Sequence, residues 1–173
     1  LVCAHLSAYG RDGPRANWPG YDYLMQAEAG YFSLTGEVDG PPTRCGLSLV
    51  DLMTGLGLAY SVLAALTAAR TTGIGRDIDV SLFDVSLFNL SYLANWYLNA
   101  GAITTRLARS AHPSLTPCQL YRSADGWIFL MCNKEKFWPA LCRAIARPEW
   151  STDERFATFK DRLAHRDLIT ELL

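Results

Sequence analysis

The stretch LMTGLGLAYSVLAALTAA, residues 52–69, carries no charge and is closed by Asp51 at one end and Arg70 at the other. A run of this length poses a choice between a membrane span and a helix enclosed within a folded core. Gly, Ser and Thr dilute its apolarity, no basic cluster flanks it, and amphipathic segments lie on both sides. The expectation is therefore a helix buried on all sides inside an α/β protein, with no membrane as partner. Its start near Ser48–Asp51 and its stop at Gly73, a residue suited to a left-handed C-terminal cap, bound the element.

The other elements follow from local pattern. Residues 1–8 predict a strand, GRDGPRANWPG a loop, and 21–34 a helix that ends at the turn TGEVDGPP. RDIDVSL alternates as a short strand, and 82–100 predict one helix ending at Gly101. ITTRLARSAHPSLTP is polar and without period. QLYRSADGWIFLMC then predicts a hairpin about Asp125-Gly126, followed by helices over 134–146 and 153–173. This order predicts part of a larger Rossmann-like domain over 1–101, a linker over 102–117, and a smaller α+β domain over 118–173.

Sixteen basic and seventeen acidic side chains leave a net charge of −1, which gives no electrostatic case for nucleic acid as a partner. The five cysteines, Cys3, Cys45, Cys118, Cys132 and Cys142, are odd in number and contain no C-x-x-C pair. The expectation is thus no disulfide framework, no bound metal, and a reducing cytoplasm. His5, His112 and His165 share no ligand spacing, and Trp96, Tyr97, Trp127 and Trp138 stand at core-like intervals. The chain opens on LVCAHLSAYG without an initiator Met, so it is expected to be a piece of a longer protein.

Three acids, Glu37, Asp39 and Asp51, lie within the segment GEVDGPPTRCGLSLVDLMTG. Glu37 and Asp39 belong to a solvated turn. Asp51 stands at a helix mouth, where unpaired N–H groups and the dipole favour an anion. Two readings are open there. Ser48-x-x-Asp51 fits a capping box, whereas an ionised, oriented carboxylate is also suited to nucleophilic attack. Tyr21 and Asp22 in GYDYLMQAEAG place a phenol and a carboxylate at a helix start, facing either a cleft or an interface. His112 in AHPSLTP is a loop histidine that could line a site. The G-x-G of TTGIGRD follows a helix and so lacks a dinucleotide-binding context.

Taken whole, residues 4–84, from AHLSAYG to DVSLFD, resemble the class III CoA-transferases. That family includes formyl-CoA transferase and carnitine CoA-transferase and is related to α-methylacyl-CoA racemase. HPSLTPCQLYRSADGWIFLMCN and RPEWSTDERFATFKDRLAHRDLI resemble the family's next segments, so the likeness covers essentially the whole chain. It implies transfer of CoA from an acyl-CoA donor to a small carboxylic acid, without a metal. By the same resemblance Asp51 is the nucleophile, passing through an aspartyl anhydride and an aspartyl-CoA thioester. Asp39 only shapes the turn, and Asp22 orients its neighbours.

The racemase branch has a histidine where PGYDYL places Tyr21. Imidazole exchanges protons near neutral pH and an ordinary phenol does so poorly, which favours transfer over racemisation. Tyr21, Asp22 and His112 remain substrate- or CoA-binding candidates. Relative to the resemblance, an amino-terminal section with most CoA contacts and a carboxy-terminal return segment are missing. The glycine-rich loop that covers the nucleophile in some members is replaced by RLARSAHPSLTP. The resemblance also implies an interlocked homodimer. The alternatives are an epimerase of the racemase type, or a non-catalytic fragment that serves as an assembly module.

Overall fold

The computed structural model describes residues 1–173, which divide into two compact units: 1–36 with 40–105, and 37–39 with 106–173. In the first unit, β1 (Val2–Ser7) lies parallel to β2 (Arg76–Ser81), with Val2 opposite Arg76 and Ser7 opposite Ser81. A parallel pair needs a long crossover, and this one contains α1 (Asp22–Glu28) and α2 (Leu49–Thr72). The expected helix over 21–34 is shorter. Gly30, at φ 87°, ends the α-helical run, and Tyr31–Ser33 forms a 3-10 turn.

α2 has the expected span. Gly73 closes it at φ 72°, donating to the Ala69 carbonyl at 2.8 Å. Its surroundings differ from expectation. Val50, Thr54 and Ala65 are buried, but Leu52, Leu56, Tyr60 and Leu63 are each more than 60% exposed. The unit supplies a two-stranded sheet and short helices to one face of α2, and nothing in it covers the other. The helix also remains long and apolar enough to cross a membrane by length and composition.

The single helix expected over 82–100 is two. α3 (Leu82–Asn89) starts because the Ser81 hydroxyl accepts from the Asp84 N–H at 3.0 Å, and it stops before Ser91, whose φ of 50° breaks the ladder. α4 (Ser91–Ala100) then runs to Gly101. The core of this unit joins Met25, Ala29, Tyr31, Val50 and Leu82, and the Tyr31 hydroxyl donates to the Ser86 carbonyl at 2.6 Å.

In the second unit, β3 (Cys118–Arg122) and β4 (Trp127–Met131) pair antiparallel, Cys118 opposite Met131 and Arg122 opposite Trp127, as the Asp125-Gly126 signal predicts. α5 (Phe137–Ala144) follows. The helix expected over 153–173 is instead a 3-10 turn at Glu154–Phe156, α6 (Phe159–Ala164) and α7 (Arg166–Leu172). Two caps restart the chain: Asp153 accepts from the Arg155 N–H, and Thr158 with Asp161 forms a complete capping box. Trp138, Cys142, Phe156 and Ile169 make the core. Trp138 thus meets its expected place, whereas Trp127 and Tyr97 stand 54% and 58% exposed.

Candidate active site

The first turn of α2 is built from a distance. Ser48 occupies the N-cap position, yet its side chain caps nothing, so the capping box expected from Ser48 and Asp51 does not form. Asp22 takes the free donors instead. Its Oδ2 accepts from the Val50 N–H at 2.7 Å and from the Asp51 N–H at 3.1 Å. Asp22 sits at the start of α1 and is 3% exposed, so it faces no open cleft.

The second Asp22 oxygen is also committed. Gln26, one turn further along α1 and wholly buried, donates from Nε2 to Asp22 Oδ1 at 2.6 Å. The same amide donates to the Leu47 carbonyl at 3.1 Å and accepts at Oε1 from the Cys45 N–H at 2.9 Å. Asp22 and Gln26 therefore fix both the helix start and the loop that leads into it. Sequence reasoning missed Gln26. The only available signal was the i, i+4 spacing of Asp22 and Gln26 on one helix face.

Asp51 itself is exposed at the helix mouth. Its carboxyl titrates above the ordinary aspartate range, first because it is partly withdrawn from water and second because the Asp22 anion lies beside it. The sequence expectation of a carboxylate held ionised by the helix end alone omits this opposing charge. The result is a more basic carboxylate that is open to solvent on one side, which is the property a carboxylate nucleophile needs.

The other candidates lie elsewhere. Tyr21 directly precedes Asp22 and is 75% exposed, with no capping bond from its side chain. His112 belongs to the second unit. Its Nδ1 lies 3.1 Å from the Ser114 N–H, its carbonyl accepts from Arg166 at 2.7 Å, and burial followed by the Arg166 charge pushes its pKa down. Glu37 and Asp39 also group with the second unit, where the Glu37 carboxylate accepts from the Arg109 N–H at 3.0 Å. No three His, Cys, Asp or Glu side chains cluster as metal ligands.

Comparison with known proteins gives this site its context. The chain is 34% identical over 173 residues to a succinate–glutarate CoA-transferase of Agrobacterium fabrum, and 36% identical over 174 residues to an acetyl-CoA:oxalate CoA-transferase of Acetobacter aceti. Both matches take in 100% of this chain, but 43% and 44% of the respective relatives. A crystal structure of a hypothetical protein from Mycobacterium tuberculosis superposes with a TM-score of 0.85 at 31% identity, over 99% of this chain and 45% of that one. A CAIB/BAIF family protein from Brucella suis superposes at 0.78 with 34% identity, over the same two shares. The chain thus spans less than half the length of the relatives it matches, and its mixed α/β architecture corresponds to part of their fold. All of residues 1–173 match the model of CoA-transferase family III, and the chain belongs to that family.

Proposed function

We propose that this chain carries the nucleophile of a CoA transfer between an acyl-CoA and a small carboxylic acid, and that the nucleophile is Asp51. The observation that carries the reading is an exposed carboxylate on the first turn of α2, a turn held in place by Asp22, which accepts from the Val50 and Asp51 N–H groups. An Asp51 oxygen attacks the thioester carbonyl, the C–S bond breaks, and CoA leaves as thiolate. The thiolate then attacks the Asp51 carbonyl of the mixed anhydride and expels the donor carboxylate, leaving an aspartyl-CoA thioester. An acceptor carboxylate repeats the two steps in reverse and regenerates Asp51. Every step exchanges one acyl bond for another, and no oxidant or metal is consumed.

The names of the relatives, which refer to succinate, glutarate and oxalate, support short carboxylic acids as acceptors. Tyr21 in place of an imidazole supports transfer over epimerisation. The exposed apolar face of α2 supports packing against further protein, which we read as a homodimer.

The test is to treat the full-length protein with acyl-CoA, add hydroxylamine, and locate the modified residue by mass spectrometry. The adduct is expected on Asp51. An adduct on Asp39, or Asp51→Asn turning over near the parent rate, overturns the assignment.

A further inference from the structure

The first turn of α2 is capped in a way that stability alone does not require. A hydroxyl or amide from Ser48 or its neighbours would satisfy the Val50 and Asp51 donors locally, and without charge. The donors are instead met by a carboxylate 28 residues back in the sequence, on a different helix. That choice places a second anion beside Asp51, which a neutral cap would avoid.

The network also demands a carboxylate in particular. Asp22 accepts at both oxygens, from two backbone N–H groups on one and from Gln26 Nε2 on the other. An amide at this position would turn a donor towards one of those donors. Gln26 cannot rotate to compensate, because its Oε1 already receives the Cys45 N–H and its Nε2 donates to the Leu47 carbonyl. Asp22, Gln26 and Val50 are themselves buried, where an unmatched donor is costly.

Other charges on the elements packed around α2 are engaged elsewhere or lie on the strands. Glu28 of α1 bonds to Tyr9 and Arg15, Asp79 of β2 to Arg11, and Asp84 of α3 to Ser81. Tyr23 of α1, Cys3 and His5 of β1, and Arg76 and Asp77 of β2 complete the titratable and charged set on these elements. The charge that bears on Asp51 is Asp22.

We propose that Asp22 is the positioning residue for Asp51: braced by Gln26, its carboxylate locks the first turn of α2 to α1 and sets the place of the attacking oxygen. The inference rests on the reading of Asp51 as nucleophile. Asp22 touches no substrate in this scheme and acts through Asp51 and the loop over residues 45–48.

The experiment follows adduct formation on Asp51 in single turnovers of the full-length protein with acyl-CoA, across pH, for the parent, Asp22→Asn, Gln26→Met and Asp51→Asn. Asp22→Asn removes the neighbouring anion, so Asp51 becomes a weaker base. Its acid limb is expected to move to lower pH, while the plateau rate falls about 10- to 100-fold, as for a mispositioned reacting group. Gln26→Met leaves the charge but loosens the brace, so the plateau falls and the limb stays in place. A parent-like plateau, or a lower plateau with an unmoved limb in Asp22→Asn, makes Asp22 a structural cap only and overturns the proposal. If circular dichroism shows that Asp22→Asn does not fold, Gln26→Met decides, and a parent-like rate there overturns it. Asp51→Asn separates the two readings: an adduct that persists in it defeats the nucleophile assignment, whatever Asp22 does.

Discussion

Arg162 and Glu135 form an ion pair whose two ends stand in opposite surroundings. Nη2 lies 2.6 Å from Glu135 Oε2, with the arginine side chain wholly buried and the glutamate side chain half exposed. The remaining donors point inward, Nε to the Thr116 carbonyl at 3.2 Å and Nη1 to the Phe156 carbonyl at 2.8 Å. The guanidinium also lies over the rings of Trp138 and Phe159. Its value is therefore structural, in tying two loops and a helix together, rather than in the surface half of the pair.

Arg162→Met is expected to destabilise the fold by about 2–4 kcal/mol, because it leaves buried carbonyls without donors. Arg162→Lys should cost about 1–3 kcal/mol, since a single ammonium cannot reproduce the planar fork. Glu135→Gln should cost less than either, as water reaches that carboxylate. Chemical denaturation of the three variants ranks them, and a larger loss for Glu135→Gln would refute the argument.

Gly20 packs against Ala8, the residue that follows β1. A Cβ there would stand 2.5 Å from Ala8 Cβ and 2.6 Å from Met25 Cε. The Met25 methyl can swing aside, but Ala8 moves only with its backbone. Gly20→Ala is expected to destabilise by about 1–3 kcal/mol through overpacking, and to disturb the neighbouring start of α1. A melting temperature equal to the parent's would show that the strand end yields more easily than the packing implies.

How much of this could be read in the sequence depends on the range of the interaction. Gly73, Gly101 and the Asp125-Gly126 turn act through local backbone geometry, and each falls where the pattern puts it. The breaks at Ser91 and at Thr158 were hidden because apolar spacing continues across them while a local cap or a positive φ interrupts the ladder. Asp51 was legible as a helix-mouth acid. Its cap was not, because Ser48 offered a plausible local partner and the true one, Asp22, lies far back in the chain. The burial of α2 was misjudged for a related reason. An uncharged helix records the surroundings of the whole protein, and this chain corresponds to under half of its relatives' length.

Asp51→Asn should separate function from stability. The carboxyl titrates above its ordinary range in the folded state, so the native state binds its proton more tightly than the unfolded chain does. Stability from this group is thus present below the unfolded pKa and is lost as pH rises through the folded one. At neutral pH, replacing it with a neutral isostere should leave stability within about 0.5 kcal/mol of the parent, or slightly above it, while transfer is abolished. Asp51→Glu should also fail in transfer, because the added methylene displaces the attacking oxygen. Thermal melts beside turnover measurements test the pair, and a marked destabilisation by Asp51→Asn would contradict the sign.

Acid should act on the second unit with the opposite sign. The Arg155 guanidinium, bonded to both oxygens of Asp153, holds that carboxyl down to about 2. Asp161 is lowered chiefly by its bond from the Thr158 hydroxyl, and Glu135 is lowered by its bond from Arg162 against the opposing effect of burial. Carboxyls depressed in the folded state contribute stability that is complete above their unfolded pKa values and is lost as pH falls through the folded ones. The window for Asp153 therefore runs from about 4 down to about 2. Asp153 and Arg155 are both at the surface, so salt should weaken the effect. Hydrogen exchange read peptide by peptide across this range should show residues 153–164 losing protection as the acid window is crossed. Asp153→Asn should start from lower protection and respond less steeply to pH. Identical acid profiles for the parent and Asp153→Asn would show that the exposed pair, despite its geometry, contributes nothing to holding this turn.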